Sequence, residues 1–179
     1  MKAVIDTNVL RIAAGQHDDV SPECVEECVR HLLAMRQTGV TVIDDNYRIL
    51  KEYIANPSLA NTNQVGGQFL KWLLRHQGNP ARVEQVALTE RDAHCFTEFP
   101  DAALELQFDP PDRKFAAVAH AHPDKPPIWQ AADSKWLDWW PALQAKGIVV
   151  DFLCPADVCQ FYRSKFPGKP VPAMPGAKS

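Results

Sequence analysis

The strongest constraint in this sequence is an alternation in which short β-branched runs are each followed by a stretch with helical apolar spacing. Residues 3–6 read as a buried strand. Residues 22–36 read as a helix, because Cys24, Val25, Cys28, Val29, Leu32 and Leu33 recur at the spacing of one helix face. Ser21 and Pro22 supply a capped start, and Gly39 lies past the close. Residues 40–43 (VTVI) form a second strand, and in the YRILKEYIA that follows, Ile49, Leu50, Tyr53 and Ile54 make one stripe. Residues 63–75 are predicted helical despite Gly66 and Gly67, RVEQVAL alternates as a strand, and Thr89 opens a further helical segment. An Ala-rich helix starts at Asp112 and closes before Pro123; residues 128–132, 134–146 and 148–150 read as strand, helix and strand. Parallel strands need crossover connections, so this order specifies an α/β fold: a three-layer α/β/α sandwich with a mostly parallel central sheet.

A chain of 179 residues buries enough surface for one core, so residues 1–166 are expected to form a single domain. The stretch FPGKPVPAMPGAKS holds four prolines, and residues 167–179 are therefore expected to be a flexible, extended tail. No apolar run reaches 18 residues and the first residues lack a leader pattern, so no membrane association is expected. Five scattered cysteines suit reduced thiols better than a disulfide framework, which points to the cytoplasm. A net charge of -3 removes bulk basicity as an argument for a nucleic-acid partner and leaves room for a locally basic groove.

The stretch VIDTNVL breaks an apolar strand with Asp6, Thr7 and Asn8, and an ionised carboxylate buried without compensation carries a large desolvation cost. In open α/β sheets, sites lie outside the carboxyl ends of the strands. Asp6, the pair Asp44 and Asp45, and Asp133 each follow a predicted strand. Glu52 interrupts an apolar stripe, and Asp112 sits in a first helical turn. The plainer alternatives are a helix-dipole role for Asp112 and Asp133 and a solvated face for Glu52. Gathered in one cavity, these acids would repel one another unless a divalent cation occupied it, and hard oxygen ligands suit Mg²⁺ or Mn²⁺. Such an ion lowers the pKa of a bound water and shields charge on a scissile phosphate, which is phosphoryl-transfer chemistry. Thr7 and Asn8 either hold Asp6 in one rotamer or simply cap the following helix.

VIDTNVL, the EY of ILKEY, DRKFAAVA and AADSKW, in that order, resemble the four signatures of the PIN-domain nucleases, over about residues 2–150. The resemblance implies an α/β/α sandwich that cleaves RNA phosphodiesters with Mg²⁺ or Mn²⁺. Asp6, Glu52, Asp112 and Asp133 then match the four catalytic, metal-holding acids, with Thr7, Asn8 and Ser134 as accessory polar residues. It also implies RNA as substrate and, as in the toxin-like members, an antitoxin protein as partner. One departure is Lys135, which stands where the family often has a further acid. A PIN-like module that binds RNA without cleaving it is the alternative this departure raises. Trp136, Trp139 and Trp140 are read as core or as a homodimer face, and His120 and His122 as helix-end residues rather than metal ligands.

Overall fold

A computed structural model of the chain describes residues 1–17, 19–60 and 63–176. It contains β1 (Lys2–Ile5), α1 (Thr7–Ala13), α2 (Pro22–Thr38), β2 (Val40–Asp44), α3 (Arg48–Ala55), α4 (Pro57–Ala60), α5 (Val65–His76) and β3 (Val83–Val86). Then follow β4 (Glu90–Asp92), β5 (Cys95–Phe96), α6 (Ala102–Glu105), a 3₁₀ turn at Pro110–Asp112, α7 (Arg113–Ala121) and β6 (Ile128–Gln130). The last elements are α8 (Trp136–Ala145), β7 (Val150–Phe152) and α9 (Pro155–Lys165). Five strands form one sheet in the order β3-β2-β1-β6-β7, and every pairing in it is parallel. Ala3, Val4 and Ile5 of the central strand are fully buried, which requires cover on both faces. Helices α1, α2 and α5 pack on one another as one layer, while α7 packs on β1, β2 and β6. The predicted three-layer α/β/α sandwich is thus the observed fold.

Two local expectations need a structural account. Both Gly66 and Gly67 lie within α5, and a Cβ on Gly66 would stand 2.0 Å from the Leu10 carbonyl oxygen. Glycine there lets α5 approach α1 at backbone distance. Tyr53 of α3 donates its hydroxyl to the Ile5 carbonyl and ties that helix to the end of β1.

Several expectations are corrected. The segment from Thr89 is not helical: Glu90–Asp92 and Cys95–Phe96 pair as a small antiparallel ribbon. The reason is tertiary, since Glu105, only 1 % exposed, accepts hydrogen bonds from the Phe96 amide and from Arg91 and holds the ribbon to α6. Two of the five cysteines are not free thiols. Cys24 in the first turn of α2 and Cys154 at the start of α9 form a disulfide across 130 residues of sequence. No local pattern joins such distant positions, and the cytoplasmic expectation loses the support that reduced thiols gave it. Cys28, Cys95 and Cys159 remain free.

The tail contains neither helix nor strand up to Gly176, but it is not a detached appendage. Val171 and Met174 pack on a small cluster with Leu137, Val158 and Tyr162, and Trp140 donates its indole N–H to the Ala173 carbonyl at 3.0 Å. Residues 177–179 of the expected tail lie outside the described residues. Trp136 and Trp139 are core, with Trp139 stacked on Phe108 at 4.3 Å, so they offer no dimer face. His122 contacts Glu84 at 2.6 Å and His120 contacts the Glu98 carbonyl; they do not converge on a common point as ligands. No helix among the described residues is long and apolar enough to cross a membrane.

Candidate active site

From β1 the chain moves through β2 to β3 on one side, then returns to fill β6 and β7 on the other. The order therefore reverses between β1 and β6, and their carboxyl ends diverge into a crevice at this switch point. Asp6 directly follows β1 and Asp133 follows β6. The Asp6 amide donates to the Trp129 carbonyl at 3.0 Å, so the acid stays within the sheet ladder even as its side chain turns to cap α1. Its carboxylate accepts from the Asn8 amide at 2.9 Å and from the Gln130 side-chain amide at 3.3 Å.

Asn8 and Gln130 lock the two strand ends together. The Asn8 side-chain N–H donates to the Gln130 side-chain oxygen Oε1, and the Asn8 side-chain oxygen Oδ1 accepts from the Ala131 backbone amide at 3.1 Å. Gln130 also accepts from the Asp133 amide at 3.2 Å, while Asp133 caps its own turn by accepting from the Lys135 amide at 3.0 Å. The expected accessory role of Asn8 is therefore positional, shared with Gln130. Its signal in the sequence is a glutamine inside the otherwise apolar strand IWQAA.

Asp112 ends the 3₁₀ turn immediately ahead of α7. Its carboxyl is pushed up to about 7, first by burial and then by the charge of Asp133, against the opposing pull of the Lys114 ammonium. Asp6, 5 % exposed, is raised well above the usual carboxylate range by burial, then by Asp112, with Asp133 and Glu52 adding smaller effects. The charges of Asp112 and Asp133 thus act on Asp6, and that of Asp133 on Asp112, across distant segments. None of the ion pairs between described residues involves Asp6, Asp112 or Asp133.

Glu52 differs. Its carboxylate is ion-paired with Lys114 of α7 and accepts from the Thr7 hydroxyl, so its charge is already compensated. Lys114 also donates to the Pro111 carbonyl. Thr7 is therefore a partner of Glu52 and not of Asp6. Ser134 is buried beside Asp133 and lines the same cleft. Lys135 pairs with Asp109, which leaves Asp112 as the acid of that segment that couples to the others. Asp44 belongs to the scaffold: fully buried, it caps α3 by accepting from the Arg48 and Ile49 amides at 2.8 and 2.9 Å.

A cleft of about 1100 Å³ opens over this point, with Asp6, Asn8, Glu52, Asp133 and Ser134 on its floor. Asp112 does not line it and acts on it through its charge on Asp6. Arg11, His17, Phe161 and Lys165 also line it, with the His17 and Phe161 rings 5.5 Å apart. Of the cations near the acids in sequence, Arg48 pairs with Asp44 and Glu90, and Arg113 is buried on the Phe108 carbonyl and Cys95; Arg11 alone reaches the cleft unpaired among the described residues.

The donor set is chemically suited to a hard divalent cation: uncompensated carboxylate oxygens, a hydroxyl and amide oxygens. The carboxylates do not close on one another. Among the described residues, the one trio of His, Cys, Asp or Glu ligand atoms within 4.8 Å of one another is Cys24, Cys28 and Cys154, two of which are spent in the disulfide. A Mg²⁺-type site needs only one or two carboxylates and completes its shell with water, so the open arrangement is compatible with it. Comparison with known proteins finds no match to this chain among family models, curated proteins or solved structures.

Proposed function

We propose that this chain is a Mg²⁺- or Mn²⁺-dependent endoribonuclease of the PIN-domain type, with Asp6 and Asp133 as the principal metal-holding acids, Asp112 behind them and Glu52 at the edge. The observation that carries this reading is the placement of Asp6 at a sheet switch point, 5 % exposed and lining the cleft with Asp133, raised by burial and by the Asp112 charge, with no described lysine or arginine ion-paired to Asp6 or Asp112. Natural folds rarely retain uncompensated buried charge of one sign without a function for it. A divalent cation, when bound, supplies water activation and charge shielding at the scissile phosphodiester. The chain's own residues do the rest. Asn8 and Gln130 fix Asp6, the Asp133 turn sets the second carboxylate, and the Ser134 hydroxyl is available to a phosphate oxygen.

The toxin-like role and an antitoxin protein as partner belong to the same proposal and rest on the motif resemblance alone; a homodimer and a cytoplasmic location are proposed with them. The deciding experiment is cleavage of single-stranded RNA with added Mn²⁺. Asp6→Ala and Asp133→Ala are each expected to lose activity by about 100-fold or more. Wild-type rates in both variants would reject the assignment. One observation favours a second reading, a non-cleaving RNA-binding module: Lys114 occupies Glu52. RNA binding without cleavage under any divalent ion would select it.

A further inference from the structure

We propose that the cleft carries a nucleotide-binding subsite in which an unpaired RNA base stacks on the ring pair His17 and Phe161, with Arg11 and Lys165 contacting the adjoining phosphates. This inference rests on the ribonuclease reading for its substrate class. The two rings come from segments 144 positions apart and meet with centroids 5.5 Å apart at an angle of 34°. Both are half-buried and both line the cleft that ends at the acids. Phe161 packs one side against the core and turns the other to the cleft.

The position of Phe161 is fixed independently of any ligand. Asp157, 7 % exposed, accepts from the Ser21 amide at 2.6 Å and the Ser21 hydroxyl at 2.8 Å, and the Cys24–Cys154 disulfide ties the start of α9 to α2. A held aromatic surface costs little ordering when a base docks on it. Charge points the same way. Arg11 and Lys165 are exposed and form no ion pair between described residues; Lys165 rests over the Phe166 ring at 5.8 Å, which leaves its charge uncompensated. Asp19 is the acid that lines this part of the cleft beside them. An RNA strand approaching the acidic floor is repelled there and attracted at this wall, which orients the backbone before any chemistry. The ring face accepts any base, and only an unpaired one, because in a duplex both faces are covered by neighbours.

The test is binding of a fluorescein-labelled single-stranded RNA 12-mer, read by anisotropy in EDTA. The background is Asp6→Asn, which prevents cleavage and lightens the floor charge. Phe161→Leu, which keeps apolar packing, is expected to weaken binding by about 5- to 150-fold, and Phe161→Trp to retain it. Arg11→Ala is expected to reduce the salt slope of binding by about one. A duplex of the same sequence is expected to bind more weakly than the single strand. Unchanged affinity in Phe161→Leu, or duplex binding as tight as single-strand binding, overturns the subsite. The two readings fail separately. Mn²⁺-dependent cleavage by the wild type with unaltered Phe161→Leu affinity rejects the subsite alone. Weakened Phe161→Leu binding in a wild type that never cleaves rejects the nuclease and leaves the subsite standing.

Discussion

At the scale of single residues, the site acids are costly to the fold, and this gives a signed pH prediction. Asp112 keeps its proton in the folded chain up to about 7, whereas the unfolded chain ionises near the ordinary 3.8. Between those values the folded state binds more protons, so this residue lowers stability as pH rises through the window. Without divalent ions, Asp112→Asn is therefore expected to gain thermal stability over the wild type progressively from about pH 4 to about pH 7, reaching roughly 2–6 °C. Added Mn²⁺ at neutral pH should raise the melting temperature of the wild type and not that of Asp6→Ala, since only a competent site binds and stabilises. Differential scanning fluorimetry reads both, and a flat difference between Asp112→Asn and wild type across the window would contradict the assigned environment. A control lies in β2. The Thr41 hydroxyl is fully buried with no hydrogen-bond partner among the described residues, so Thr41→Val, which keeps shape and removes the orphan, should add about 1 kcal/mol by urea denaturation.

At the scale of elements, two close contacts set the walls of the cleft. Gly66→Ala would press a Cβ onto the Leu10 carbonyl and push α5 off α1, the helix that Asp6 caps. A loss of about 2–4 kcal/mol is expected, because the obstacle is backbone and cannot rotate away. Far-UV circular dichroism against temperature measures it, and wild-type stability would show that the two helices are farther apart. The disulfide is the other contact. Linking α2 to α9 closes a loop of well over 100 residues, so Cys154→Ser should cost about 2–4 kcal/mol. Cys28 lies 3.9 Å from the Cys154 sulfur, but burial pushes its thiol up to about 12, so it is a poor nucleophile and the existing bridge should persist without exchange. Both elements were only partly legible in the sequence. The helix around Gly66 follows from its apolar spacing, while the need for glycine and the partner of Cys24 do not, because each is set by a neighbour remote along the chain.

At the scale of the whole molecule, expression in a bacterial host without any partner is expected to arrest growth if the toxin-like role is correct, and Asp6→Ala should relieve the arrest. Soluble expression of the wild type with undiminished growth, followed by optical density, would remove that role. What the sequence determined by itself is what local chemistry controls: strands and helices in alternation, hence a parallel sheet with two covers, and acids placed at strand ends where such sheets carry sites. It could not decide how those acids are treated once folded. Glu52 and Asp112 look alike in the sequence, yet Lys114 neutralises one and lowers the other only in part. Asp44 and Asp6 both end strands, yet Asp44 is spent on capping α3 and pairing Arg48. Desolvation and Coulomb interactions depend on distances through space, which only the tertiary structure fixes. The sequence order of residues therefore selected the architecture, and the packing of remote segments selected which carboxylates remain uncompensated.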